Sequence, residues 1–580
     1  MEDQNMAYSQ ENEPEEDVLI PADEENDLID LPTEESQGDT SRAAMFELLD
    51  GEEDIALREE CTKHYNLGGG RYQAIVFSDP VHFRESEDAP WQEIDNNLET
   101  GVDAQGREVL TNRASSLKVE MAKTAGEGSL VRLTHKGSTL EWTLDHTEPE
   151  VIATVKSGTE LQQEMLLQEA QARIAISGLT KTAMELQPAA LASAMTPQEK
   201  RLDRRPVQSQ VAYENLAPGL SVKYSLSGTW VKEDIILENR EALQYAVLKL
   251  PSTYEYEVRD NQGVLVRKDG EEVFEFLPPD VYDSAGNRID GTVEITRDVN
   301  CVRMRYGIDE AFLASALFPV TIDPVAKTST SSANIEDTSL REEVPNTNYG
   351  SNGVLRVGVN NDNNITLFRV KKLVKQRASD TILYAGMRLR TANYGDETEY
   401  TAAYPIKHNW MESKATWNKP AVNADNVAIS MSISDFIDSK MLDYNTTTLG
   451  GCIWDVTNTY RSWYKKKDGK STNFGIAIRR PVNEGGTYVE FRSVEWNYDK
   501  PSFIVNYISH AGLEGWWQYE KQSAGRAGTV NVDLFNGNMV LEHADTTMNG
   551  NRMPVSVTHY YNSCLSESDE VHCGMGWRTS

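Results

Sequence analysis

The sequence predicts an all-β chain of antiparallel β-sandwich modules, with a disordered acidic N-terminal tail and one helical insertion. Three observations carry that prediction. Along most of the chain, apolar residues alternate with polar ones in short runs, the period of a half-buried strand. Gly, Asn, Asp or Pro separates these runs at the spacing of sheets joined by hairpins. The charge is lopsided: 580 residues carry 56 Lys+Arg against 91 Asp+Glu, a net of −35, and residues 1–60 alone hold 22 acidic and 2 basic side chains.

The first 60 residues therefore account for −20 of the charge and leave −15 on the other 520. They are poor in aromatics and rich in Glu, Asp, Ser and Pro, the composition of a solvated tail that cannot bury a core. The acidic balance argues against nucleic acid as a partner, because phosphate contacts need clustered Lys and Arg. It argues equally against docking on anionic membranes. No run of about 18 apolar residues exists, so membrane insertion by a helix is not expected. Met1 to Tyr8 is acidic and polar, unlike the basic start and apolar core of a secretory signal. Five scattered cysteines with no C-x-x-C pair do not describe a disulfide framework. Cys564 and Cys573 read as two ordinary half-buried thiols; they are close enough to bridge in an oxidising compartment, which is the alternative.

Residues 61–325 read as a β-rich N-terminal region. Tyr72 to Phe77 is a short β-rich run ended by the turn Asp79-Pro80. Ser116 to Met121, Leu130 to Thr134 and Ser138 to Leu144 follow in the same style. Leu161, Met165, Ala172 and Ile176 then recur at helical spacing without Gly or Pro. They predict a helix within an insertion near 158–208, which ends in the basic cluster Lys200 to Arg205. Alternation returns from Leu220 to Ile322. Residues 326–333, rich in Ser and Thr, read as a linker. About nine runs in the roughly 175 residues 334–510 fit a jelly-roll-like sandwich. After a second linker at 511–527, residues 528–580 open with a hairpin around Asn536-Gly537-Asn538. The chain's end at Trp577-Arg578-Thr579-Ser580 reads as truncated.

The most specific pattern lies in 334–510. Ile335-Glu336-Asp337, Asn348-Tyr349-Gly350, Val354 to Gly358, Trp454-Asp455-Val456-Thr457 and Phe491-Arg492-Ser493 follow in order, around the run Trp410-Met411-Glu412-Ser413-Lys414-Ala415-Thr416-Trp417. In order and spacing these resemble the DNRLRE family of β-sandwich modules, also described as carbohydrate-binding. Gly528-Thr529-Val530-Asn531-Val532 to Gly576-Trp577 looks like the opening of Rhs/YD-repeat proteins. Trp91 to Asn97 and Phe318 to Val325 look like the region preceding DNRLRE modules in wall-associated YD-repeat proteins. The resemblance implies a secreted or cell-surface protein of the polymorphic-toxin type, with a repeat and effector region downstream. The absence of a visible secretion signal and of YD repeats departs from it.

No motif for catalysis stands out. Leu67-Gly68-Gly69-Gly70-Arg71 lacks the Lys-Ser/Thr of a P-loop, and no G-x-S-x-G elbow is present. The chain reads as non-enzymatic, with polysaccharide or cell-wall glycan as the expected partner. Aromatic faces stack on pyranose C–H groups while Arg and carboxylates take the hydroxyls. The candidates are Trp410, Tyr404, Trp463, Trp496, Arg479 and Arg492, weighed against packing of the same tryptophans in a core. No organic cofactor is expected. Calcium is the ion to consider, on Asp337 and on Asp362 within Asn360-Asn361-Asp362-Asn363-Asn364; an Asx-rich hairpin turn is the better reading of the latter run. Two other readings stay open: an accessory binding module or scaffold of a polysaccharide-acting enzyme, and a structural spacer or interaction protein.

Overall fold

The computed structural model describes residues 51–67, 71–126, 128–161, 164, 209–259, 262–328, 333–360, 362–376, 380–392, 400–446, 451–467, 470–481, 488–496, 499–509, 518–534, 537–549, 554–563 and 576–579. They form antiparallel sheets, as the alternation predicts.

A first sandwich uses residues 95–328. One sheet has eight strands, in spatial order Thr292–Arg297, Cys301–Gly307, Val247–Pro251, Ser138–Leu144, Val131–His135, Lys118–Ala122, Glu108–Ala114 and Asp95–Val102. The other has eleven, built around Ser209–Ala217, Leu220–Ser227 and Trp230–Leu237. Period-two patterning decides which side chains face the core. In Ser138–Leu144, Leu140, Trp142 and Leu144 are buried while Glu141 and Thr143 are not. Trp142 meets Tyr224 and Phe276 edge-on, with ring centres 6.5 and 5.6 Å apart. Burial of each such ring contributes about 1.5–3 kcal/mol. Glu233 breaks the pattern by pointing inward, where the Tyr224 hydroxyl donates to it at 2.5 Å. Burial pushes its carboxyl up to about 7.

The insertion leaves and returns at one place, because Ser157 pairs directly with Ser209. A helix begins at Gly158 behind a capping box. Glu160 N–H donates to the Ser157 hydroxyl at 3.3 Å, and the Glu160 carboxylate accepts from Ser157 N–H at 2.7 Å. The rest of the expected helix, and the cluster Lys200 to Arg205, lie outside the described residues.

The second sandwich corrects the expected boundaries. Its first sheet runs Asp443–Thr446, Tyr400–Pro405, Ile476–Arg479, Asp362–Val370, Val354–Asn360 and Tyr488–Arg492, with Ile335–Arg341 also paired to Asp362–Val370. Its second sheet runs Glu52–Glu53, Thr62–Asn66, Arg71–Phe77, Ser502–Ser509, Asp380–Leu389 and Cys452–Asp455. Half of that sheet comes from the far end of the chain. Arg71–Phe77 pairs with Ser502–Ser509 along its whole length. Ala74 and Val76 join the main core with Phe503, Val505, Trp454 and Phe491, while Ile75 and Phe77 pack with Ile504 on the other side. A strand buried on both faces needs a continuous apolar run, which Ala-Ile-Val-Phe supplies.

Residues 51–60, expected within the tail, are therefore folded. Glu53 is held by Arg58 at 2.7 Å and lies 3.2 Å from His82. The linker expected at 326–333 is partly strand, since Phe276 pairs with Ala326. That at 511–527 contains the strand Tyr519–Ser523, paired with Thr529–Asp533. Tyr519–Ser523 opens a five-stranded meander that continues through Thr529–Asp533, Met539–Asn549, Pro554–Asn562 and Trp577–Thr579. Cys61, Cys301 and Cys452 are buried thiols; Cys564 and Cys573 lie outside the described residues.

Candidate carbohydrate-binding face

Strand Tyr488–Arg492 organises the candidate face. Phe491 and Val489 turn to the core, so alternation sends Tyr488, Glu490 and Arg492 to the opposite side. Register sets Arg356 across from Glu490. The Arg356 guanidinium donates to Glu490 at 2.9 Å and sits 4.0 Å above the Tyr488 ring. Glu343 lies 3.6 Å from it on the other side. Beside this pair, the Arg341 guanidinium lies 3.8 Å above the Tyr349 ring. Burial, then the neighbouring Arg356, pushes Arg341 below the usual guanidinium range. Tyr349 and Tyr488 are both half-buried. The face thus presents two half-buried rings, the Arg356 guanidinium and the exposed Glu343 carboxylate, over the buried Arg341 and Glu490; rings, guanidinium and carboxylate are groups that hold a pyranose by C–H stacking and hydroxyl hydrogen bonds.

The six residues singled out from the sequence divide into pairs and singles. Arg492 and Trp496 meet, with the guanidinium 5.7 Å from the indole; Arg492 is buried and Trp496 half-buried. Arg479 and Tyr404 also meet, at 4.0 Å, but Tyr404 is a buried member of a small core outside the first sheet. Trp410 belongs to that core, 0% exposed, with its indole N–H donating to the Phe474 carbonyl at 2.8 Å. Trp463 packs on Tyr460 and Phe503 in the main core. Trp410, Tyr404 and Trp463 therefore have no face for a sugar: the segment after Pro405 folds back over Tyr404 and buries its own Trp410 there, while Trp463 packs in the main core. Tyr349, Tyr488, Arg341 and Arg356 were missed. Their signal was the polar half of the alternation in Val354 to Gly358, and Tyr349 within Asn-Tyr-Gly.

Glu412 and Thr416 do fix the loop of the tryptophan run. Glu412 accepts from the Asp337 backbone N–H at 2.9 Å, and Thr416 from Lys419 N–H at 3.2 Å. Asp337 is buried and accepts from Val494 N–H at 2.9 Å. Burial and the nearby carboxylates, Glu495 first, push both Asp337 and Glu412 far above the usual carboxylate range. Glu495 is pushed up to about 7 by burial, against the pull of Lys500. Among the described residues, no group of three or more His, Cys, Asp or Glu is arranged to hold a metal ion. Asp362 lies opposite Asn360 in the strand register, and its side chain lies outside what is described.

The profile of carbohydrate-binding module family 96 matches residues 328–507. That of a domain of unknown function, DUF6531, matches 530–580. The first match stops short of the N-terminal strands that complete the sandwich.

Among characterised proteins the chain is similar to the tRNA nuclease WapA of Bacillus subtilis strain 168, 22% identical over 530 residues, 86% of this chain and 20% of that protein. It is similar in the same degree to the tRNA(Glu)-specific nuclease WapA of Bacillus subtilis subsp. natto, over 85% of this chain and 20% of that protein. A third relative is the tRNA3(Ser)-specific nuclease WapA of Bacillus spizizenii, 22% identical over 482 residues, 78% of this chain and 18% of that protein. The chain spans about a fifth of the length of these relatives.

Proposed function

We propose that this chain is the non-catalytic front portion of an exported, wall-associated protein of the Rhs/YD-repeat type. Its second sandwich holds a cell-wall or matrix polysaccharide across the tyrosine face, and any nuclease or other effector activity belongs to sequence downstream. One observation carries this reading: the carbohydrate-binding profile falls on the sandwich that displays Tyr349, Tyr488, Arg341 and Arg356 together. The burial of Trp410, Trp454 and Trp463 favours a second reading, in which the sandwich is a rigid spacer.

Binding to purified wall polysaccharides and to a glycan array decides between them. The double substitution Tyr349→Ala, Tyr488→Ala is expected to weaken binding about tenfold or more per ring lost, from stacking of roughly 0.5–1.5 kcal/mol plus lost contact area, without lowering Tm. Absence of binding by the unsubstituted chain to every glycan would leave the spacer reading standing.

A further inference from the structure

Four charged side chains meet on the outer face of the eleven-stranded sheet of the first sandwich. In Trp230–Leu237, Val231, Glu233 and Ile235 are buried toward the core, so Lys232 and Asp234 point to the other side. Ile235 pairs with Ile322 and Lys232 with Val325, a register that sets Asp234 across from Asp323. On its other side Asp323 pairs with Asp280. Three carboxylates therefore stand in a row across three neighbouring strands, an arrangement in which like charges repel. Arg288 answers Asp280, and Lys223 stands across from Asp234.

Lys232 answers Asp323. Its Nζ lies 2.5 Å from Asp323 Oδ2, with the two side chains only 16% and 10% exposed, and nothing among the described residues donates to the other Asp323 oxygen. The contact sets the amine roughly 3–3.5 Å from Asp323 Cγ, the separation of a near-attack pair. Pairing offsets only part of the desolvation cost of two charges held out of water. An amide in their place removes both charges and takes the central carboxylate out of the row.

A proton carrier is needed to form that amide. Burial pulls Lys232 down, yet Asp323 and Asp234 outweigh it and keep the ammonium. Asp234 neighbours both reacting groups, two residues along one strand from Lys232 and directly across from Asp323. Burial, then Asp323, pushes its carboxyl up to about 6, which suits it to take and return a proton near neutral pH.

We propose that Lys232 and Asp323 are joined by an intramolecular isopeptide bond, formed in the folded chain with Asp234 as proton carrier. The ammonium first passes a proton to Asp323 Oδ2. The amine nitrogen then bonds to Cγ, the carbonyl electron pair moves to Oδ1, and the nitrogen gives a second proton to Asp234. Asp234 returns that proton to Oδ2, the Cγ–Oδ2 bond breaks, water leaves, and the carbonyl reforms at Oδ1. One water is lost and Asp234 is regenerated. The bond ties Trp230–Leu237 to Val320–Asp323 whatever the second sandwich binds.

The test is the intact mass of the full chain, expected to be one water below the sequence mass. Asp323 precedes Pro324, which has no N–H, so the competing water loss by cyclisation onto the next backbone nitrogen is closed to it. Trypsin does not cut after an acylated lysine, and digestion is expected to yield one branched peptide joining 224–240 to 306–327. Lys232→Arg keeps the ion pair with a guanidinium that stays protonated. It is expected at its full sequence mass and with a lower Tm, because the bond closes a loop of about 90 residues in the unfolded chain. Asp234→Asn keeps the shape, removes the carrier and is expected to yield at least about tenfold less linked chain. A wild-type chain at full mass, a water loss mapped to any other pair, or wild-type linkage in Asp234→Asn would overturn the proposal.

Discussion

Asp499 shows how a single residue can hold several others in place. It is buried against Arg388 at 2.7 Å, Arg390 at 3.0 Å and Arg492 at 3.7 Å. Burial alone would raise its carboxyl, but the three guanidiniums outweigh that and hold it at about 2. Removing it strands buried guanidiniums without their counter-charge, which typically costs about 3–5 kcal/mol. Asp499→Ala is therefore expected to lower stability by that order in urea unfolding. Glu495 has the opposite sign. Its carboxyl is raised from 4.5 to about 7, so the fold favours the protonated form. Its contribution is fully present below about pH 4.5 and is lost as pH rises through 7. Tm is expected to fall across that window, and Glu495→Gln to flatten the fall; an unchanged slope in the variant would count against it.

At the scale of elements, the decisive unit is the N-terminal hairpin Thr62–Asn66 and Arg71–Phe77. Without it, Ser502–Ser509 becomes an open edge, and Phe503, Val505 and Ile504 lose cover on both faces. A fragment of residues 330–510 is expected to aggregate or unfold without cooperativity. Joining 51–83 to it by a flexible linker is expected to restore a two-state transition by circular dichroism. A cooperative transition in the fragment alone would refute this.

Tyr72 to Phe77 was legible as a strand from composition, and the sandwich from its alternation. The partnership between Arg71–Phe77 and Ser502–Ser509 was not, because pairing between distant strands leaves no period in either of them. Much the same holds for the site. Arg492 and Trp496 could be named from their motif, yet Trp410 and Tyr404 were named for chemistry that a covering segment takes away. Tyr349 and Tyr488 became visible only once the fold put each under an arginine, Tyr349 from a loop and Tyr488 by strand register.

For the whole molecule, the charge of −35 separates into two regimes. Residues 1–51, ahead of the first strand, hold 17 acidic and 1 basic side chains and so −16 of it, and the folded sandwiches carry a mixed surface on which arginines sit beside carboxylates. The first sandwich is in topological terms a very long excursion between Arg71–Phe77 and Ile335–Arg341, strands of the second that lie in its two different sheets. Glu52 pairs with Asn66, Asn66 with Tyr72 and Tyr72 with Tyr507. The point where the chain first joins the fold is thus three strand spacings, about 14 Å, from the strand Ser502–Ser509 by which it leaves that sheet. Tension between a tethered front end and a distal load would run through that one sheet, peeling it laterally, pair by pair. The first sandwich would hang to the side, unloaded, until the sheet gave way.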